Sequence, residues 1–159
     1  MEAGFTPSAS FRPDFNISGR VGRSLKSENG PVFYPSVTYR YDDYETGSIH
    51  NISPELTAYF DKGLVLTGRV ISTLQDGEDD QLGWLVQGRK RVSDRVEINA
   101  GYANAPESVN GLAVSTESVF GGVTYSLRED IDVHLNLVRD DREDTYIRKG
   151  VNVGFTHKR

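Results

Sequence analysis

The stretch that decides the fold is Arg95-Val96-Glu97-Ile98-Asn99-Ala100-Gly101-Tyr102. Val, Ile, Ala and Tyr alternate there with Arg, Glu and Asn, apart from Gly101. Successive side chains of a β-strand point to opposite faces, so the stretch predicts a strand with one apolar and one polar face. Residues 130–137 repeat the pattern, and no segment sustains the 3.6-residue period of a helix.

The same alternation predicts nine strands along the chain. They cover residues 14–27, 32–42, 49–60, 64–74, 81–90, 95–102, 116–127, 131–138 and 146–156. The predicted fold class is all-β, an antiparallel up-and-down barrel with about 8–10 strands; the transmembrane type is favoured by the aromatic residues and the turn lengths rather than by the alternation. Residues 14–159 form the barrel domain, and residues 1–13 form an N-terminal stub or loop.

An up-and-down barrel with both chain ends on one side needs an even number of strands, and nine is odd. Residues 4–11 are then the stub of an earlier strand with its outer loop, or the chain is the C-terminal portion of a larger barrel. The second interpretation is preferred here because Pro7 and Pro13 weaken a strand.

Composition fits a thin-cored soluble β-protein or a membrane barrel. Of the 159 residues, 36% are hydrophobic, which is low for a globular domain, and Gly (16) and Tyr (8) are frequent. A barrel in lipid needs an apolar residue only at every second strand position. The net charge of −5 and the lack of a basic stripe argue against nucleic acid as a partner.

Alternation alone does not tell which face points inward. Two features favour a membrane barrel: aromatic residues gather near strand ends, as in interfacial girdles, and turns alternate in length, as between the two sides of an outer membrane. The long turns are residues 42–48, 76–80, 103–112 and 140–144, and the short ones are 61–63, 93–94 and 128–130. The soluble alternative is a β-barrel or sandwich that binds a small ligand or a sugar.

Several segments carry a resemblance to a known family. Gly101-Tyr102-Ala103-Asn104-Ala105-Pro106-Glu107 resembles a segment of the YaiO family of bacterial outer-membrane β-barrels, in its C-terminal portion. Similar too are residues 39–44, 118–125, 139–144 and 150–155. The resemblance implies a location in the bacterial outer membrane and brings no enzymatic residues with it. A role near surface polysaccharide or envelope biogenesis is a further expectation.

The candidate functional residues are those of the polar faces, which a membrane barrel would turn into its lumen. They are Arg20, Arg40, Arg69, Arg89, Glu97, Asn99, Asp132, His134 and Arg148. A row of arginines inside a pore would select anions or acidic sugars. The simpler interpretation is that each arginine pairs with Glu55, Glu97 or Asp132 and fills a narrow barrel, because buried charges need partners.

No residue pattern points to catalysis, a cofactor or a metal. His50, His134 and His157 lie far apart and lack metal-ligand spacing. The expected function is a structural, channel-like or envelope-associated role without catalysis. The expected partners are outer-membrane lipid and lipopolysaccharide, with polysaccharide or envelope proteins as further candidates. A barrel enzyme with His50 and Asp43 at one loop is the remaining alternative.

Overall fold

The computed structural model of the protein describes residues 2–5, 13–28, 30–45, 47–75, 80–109, 112–142 and 146–158. For residues 2–5, 107–109 and 112–114 only the backbone is described. Two stretches of predicted loop, residues 76–79 and 143–145, lie outside the described residues, as do residues 6–12 of the predicted N-terminal stub.

Within the described residues, ten strands belong to one antiparallel sheet, in which each strand pairs with the next one along the chain. The strands are β1 (Glu2–Phe5), β2 (Phe15–Gly22), β3 (Val32–Tyr44), β4 (Gly47–Tyr59), β5 (Leu64–Gln75), β6 (Gln81–Arg91), β7 (Val96–Val109), β8 (Leu112–Arg128), β9 (Ile131–Arg142) and β10 (Tyr146–His157). The predicted all-β, antiparallel, up-and-down fold is confirmed. Apart from a single 3₁₀ turn at Asp61–Gly63, the described residues contain no helix.

The nine predicted strands are found, with ends that differ by up to seven residues, and one strand is added. β1 pairs with β2 from Glu2↔Ser18 to Phe5↔Phe15, so the described part of the N-terminal segment is a strand, while both interpretations of this segment stay predictions. Pro7 lies outside the described residues and Pro13 precedes β2, so neither interrupts these two strands.

Two of the four predicted long turns, at residues 42–48 and 103–112, are wrong. Most of the segment predicted as a long loop at residues 103–112 belongs to β7 and β8, which pair as far as Val109↔Leu112. Likewise, β3 and β4 pair as far as Tyr44↔Gly47. Pro106 fits within β7 because pairing with β6 ends at Asn104, and a residue without an N–H is tolerated where one side of a strand is an edge.

The strands are staggered, as in barrel-type sheets. One hydrogen-bonded row passes from Pro35 on β3 through Leu56, Gly68, Val86, Tyr102 and Val119 to Arg139 on β9. Both β3 and β9 start at the same end of the sheet, yet Pro35 is three residues and Arg139 eight residues from its strand start. This increase in offset from three to eight residues is the register shear that accompanies tilted strands in a closed or curling sheet.

The sheet curls toward one side. Arg20 on β2 reaches across β3 to Glu55 on β4, with 2.5 Å between Nη2 and Oε1, a contact that curvature toward that side favours. Among the described residues, no ladder links β1 to β10, so closure of the barrel stays a prediction. No helix in the described part of the chain has the length and hydropathy to cross a membrane.

Candidate functional site

The inside of the curled sheet is polar. We call the side that carries Arg20, Glu55 and Arg69 the polar face and the opposite side, which carries Leu56, Val86 and Val123, the apolar face. Only Ile49 and Ala58 are buried hydrophobic residues among those described. The buried polar residues all lie on the polar face: Ser36, Asp42, Glu55, Thr57, Thr67, Thr73, Thr116, Asp132 and Asp140.

The space around the glycines also shows which face of the sheet points inward. A Cβ added to Gly83 on the polar face would lie 2.5 Å from the Cα of Ala105 and 2.7 Å from the carbonyl oxygen of Asn104. A Cβ added to Gly19 or Gly68 on the apolar face would meet nothing within 4 Å. The polar face is therefore the crowded, concave side, and the apolar face is the open, convex side.

Glu55 is the centre of the polar face. Its Oε1 accepts a hydrogen bond from Nη2 of Arg20, and its Oε2 accepts one from Nε of Arg69 at 2.8 Å. A second Arg69 nitrogen, Nη2, also donates to Oε2. Ser36 accepts from Arg20 at 2.9 Å. Because Glu55 is 9% exposed, one buried carboxylate holds two arginines from strands on either side of it.

The other charged residues of the polar face form separate pairs. Arg148 donates to Asp140 at 2.6 Å, and Arg40 donates to Asp42 at 2.8 Å. Lys158 lies 2.8 Å from Asp132, whose Oδ1 accepts from Ser126 at 2.7 Å.

Arg89 differs, because its Nε is 3.7 Å from Glu97, too far for a strong ion pair. The interpretation that most arginines fill the interior as ion pairs agrees with these contacts. The carboxylates that pair with the arginines are mainly Glu55, Asp42 and Asp140, rather than Glu55, Glu97 and Asp132 as predicted.

The three histidines lie in different places. Two of them are hydrogen-bonded to hydroxyl groups, and the third lies at an end of the sheet. His134 lies between two threonines: Nδ1 is 3.0 Å from Thr124 Oγ1, and Nε2 is 2.8 Å from Thr156 Oγ1. His50 bonds Tyr39 through Nδ1 at 2.8 Å. No group of three metal-ligating side chains occurs among the described residues.

The alternative pairing of His50 with Asp43 finds no support in the contacts. The Asp43 carboxylate accepts from the Tyr41 hydroxyl at 3.3 Å, while His50 bonds Tyr39. His157, the third histidine, lies 3.4 Å from Asp130 at the other end of the sheet.

All nine candidate residues lie on the polar face, but only some share a cavity. A central cavity of about 630 Å³ brings six of them together: Arg20, Arg69, Arg89, Glu97, Asn99 and His134. Arg40 lines a second cavity of about 430 Å³ toward the β3–β4 turn, and Asp132 lines a third of about 760 Å³ toward the β8–β9 turn. Arg148 lines none of these cavities and is held by Asp140 instead.

Sequence reasoning missed Asp42 and Asp140 as interior residues. Asp42 was the last residue of a predicted strand and the first of a predicted turn, and Asp140 was placed in a loop, yet Asp42 is 1% and Asp140 5% exposed. The signal was present in the alternation, because Asp42 and Asp140 lie two residues beyond Arg40 and Val138, which were placed in strands. Continuing the period by one more step places both carboxylates on the polar face.

Comparison with known proteins gives no assignment: no protein-family model, curated protein or solved structure matches the chain. The resemblance to the YaiO family stays a prediction.

Proposed function

We propose that the protein is an integral outer-membrane β-barrel protein, with a structural, channel-like or envelope-associated role and no catalytic step. The observation that carries the proposal is the apolar outer face. Among the described residues, 28 large hydrophobic side chains are exposed, 23 of them on the apolar face, against two buried hydrophobic residues. Large contiguous apolar patches on a protein surface mark contact with lipid or with another protein.

The total exposed area supports the same conclusion. A compact soluble protein of 17.7 kDa has an accessible surface of about 8,000 Å², whereas this chain exposes 10947 Å². An excess of this kind is expected of a single sheet whose outer face is not covered by another part of the chain. In water such a surface favours aggregation; in a bilayer the same apolar face is satisfied by acyl chains.

The apolar face has the length and the borders that a bilayer requires. On β8 the outward positions from Val119 to Leu127 carry no charge, and Glu117 precedes them. That segment of nine residues agrees with the 9–11 residues of a membrane-spanning strand. On β9 and β10 the uncharged positions of the apolar face end at the register pair Arg139↔Lys149. Charged residues therefore mark the border of the apolar face here as well.

Aromatic residues mark both borders of the apolar face. Toward the β3–β4 turn, Phe15, Tyr41 and His50 form a cluster with ring centroids 6.4 Å and 4.9 Å apart along it. Toward the opposite end lie Tyr125 and Phe155, both exposed. Aromatic rings with a polar tip favour the membrane–water interface.

The proposal requires that the edges of the sheet are paired. A spanning sheet must have its edge groups paired, because unpaired N–H and C=O groups are costly in hydrocarbon. In the membrane, β1 and β10 must therefore be paired, with each other or with another segment. The bacterial outer membrane is the proposed location, since up-and-down barrels of this type are found there, and lipid and lipopolysaccharide are the proposed direct contacts.

Trp84 allows a direct test, because it is the only tryptophan and lies 46% exposed on the apolar face, beside Tyr102 with ring centroids 5.0 Å apart. In vesicles that contain brominated acyl chains, we expect its fluorescence to be quenched. The matched control is the double variant Trp84→Phe with Leu85→Trp, which moves the indole to the polar face and should abolish most of the quenching.

The opposite result would reject the proposal. A folded, monodisperse protein in detergent-free buffer, with Trp84 unaffected by brominated lipid, would instead identify a soluble β-protein that covers its apolar face in another way. Heat-modifiable mobility on a gel, with circular dichroism, establishes whether the protein under test is folded.

A further inference from the structure

The central cavity of the polar face carries an excess of positive charge. Its wall is built by residues from β2 to β9 and includes three arginines, Arg20, Arg69 and Arg89, but only two carboxylates, Glu55 and Glu97. At about 630 Å³ it falls within the usual range of small-molecule sites, roughly 300–1,000 Å³.

The excess arises because two arginines share one acid. Arg20 and Arg69 both donate to Glu55, so this group of three keeps a charge of +1. The side chains of Arg20 and Arg69 remain 45% and 36% exposed, while that of Glu55 is 6% exposed. The carboxylate is therefore enclosed, and part of each guanidinium still faces the cavity.

Of the three arginines in the cavity, Arg89 has the longest ion-pair distance. Its side chain is 53% exposed, and the 3.7 Å approach to Glu97 is its only ion pair within the described residues. A guanidinium presents several N–H donors in one plane, which suits two-point binding of a carboxylate or a phosphate. An incoming anion can use those donors without breaking a short ion pair.

Uncharged hydrogen-bonding groups surround Arg89. Gln87 and Asn99 lie on its own strand and on the neighbouring strand, where Asn99 is its register partner. Asn136 completes this part of the cavity wall. Side-chain amides each offer donors and an acceptor, and within the described residues none of the three has a side-chain hydrogen bond. Amides beside a guanidinium match a ligand that has hydroxyl groups as well as a carboxylate.

We propose that the central cavity binds a small hydroxyl-rich carboxylate of the uronic-acid class, with its carboxylate on Arg89 and its hydroxyls on Gln87, Asn99 and Asn136. This inference deepens the proposed function, since it names the ligand class of the polar interior. It does not depend on membrane insertion, because the same cavity exists wherever the protein is folded.

The test is calorimetric titration of the folded protein in detergent with galacturonate, galactose or inorganic phosphate. We expect galacturonate to bind, galactose to bind at least about tenfold more weakly, and phosphate to be weaker than galacturonate, because only galacturonate uses both the charge and the amides. Equal affinity for galactose, or tighter binding of phosphate, would overturn the proposal.

Substitutions locate the site. Arg89→Gln should weaken galacturonate binding by about tenfold or more, whereas Glu97→Gln should strengthen it by about threefold, because a competing carboxylate is neutralised. The matched control is Arg139→Gln on the apolar face, which should leave affinity unchanged.

Unchanged affinity in both Arg89→Gln and Glu97→Gln would overturn the assignment. If Arg89→Gln does not fold, as judged by circular dichroism, the sign of the Glu97→Gln effect decides alone. Quenching of Trp84 by brominated lipid is measured separately, so a failure of ligand binding is distinguishable from a failure of the membrane proposal.

Discussion

The two faces of this sheet share one backbone ladder and differ in almost everything else. On the polar face Asp42, Glu55 and Asp140 are buried and bonded to arginines. On the apolar face Val151, Val153 and Phe155 of β10 are 71%, 62% and 76% exposed. In an ordinary soluble protein the large apolar side chains would be the buried ones.

The comparison shows that paired polar side chains can stabilise the concave side of this sheet. Buried charges are costly unless they are paired and hydrogen-bonded, and the short contacts around Glu55 and Asp140 meet that condition. The apolar face contributes little packing within the chain, so its favourable free energy has to come from whatever covers it. The comparison is testable, because adjacent residues of one strand can be changed on opposite faces.

The largest effect is expected from Glu55→Gln. It leaves Arg20 and Arg69 facing each other around a neutral amide, so we expect the free energy of unfolding to fall by about 2–4 kcal/mol; fully buried pairs cost more, and these arginines are partly exposed. Urea titration followed by circular dichroism measures the change.

The control for Glu55→Gln is Glu97→Gln, whose partner Arg89 is 3.7 Å away and which should cost less than about 1 kcal/mol. If the two variants were equally stable, Glu55 would not be the centre of the interior.

A second pair of variants compares crowding on the two faces. Gly83→Ala places a methyl group 2.5 Å from the backbone of Ala105, which cannot move without breaking the β7 ladder, and should cost about 1–3 kcal/mol. Gly68→Ala projects into open space and should be neutral or stabilise the protein by up to about 1 kcal/mol. Equal losses in both variants would show that the polar face is no more crowded than the apolar face.

A third pair uses neighbours on β9. Leu135 is 43% exposed on the apolar face, and Asn136 follows it on the polar face. In vesicles, Leu135→Asp should destabilise the folded state by roughly 1–2 kcal/mol, since a charge then faces lipid, while Asn136→Asp should have little effect beside the excess positive charge. If the apolar face met water instead, Leu135→Asp would change stability by no more than about 0.5 kcal/mol.

The smallest effect is expected from Tyr39→Phe, which removes the 2.8 Å hydrogen bond to His50 at the border of the apolar face. In a bilayer we expect a loss of about 0.6 kcal/mol. Thr156→Val removes a hydroxyl 2.8 Å from His134 on the polar face and serves as the comparison. A loss above about 2 kcal/mol in Tyr39→Phe would place that bond in a dry interior rather than at an interface.

Much of the fold could be predicted, because a two-residue period is a local property. Strands β3, β5, β6, β9 and β10 begin at the predicted residue, and all nine candidate residues fall on the same face. The loops were predicted less well. Residues 103–112 contain Asn104 and Pro106, which favour turns, but pairing with β8 stabilises the extended form there.

Alternation of apolar and polar residues by itself determined which side chains share a face, because neighbouring side chains of an extended chain must point in opposite directions. It did not determine which face is concave, since the pattern is the same for either direction of curvature. Only the tertiary structure decided that, by bringing Arg20 across β3 to Glu55 and by leaving no room for a side chain at Gly83. Curvature comes from strand stagger and from contacts between strands far apart in sequence, and no local pattern encodes it.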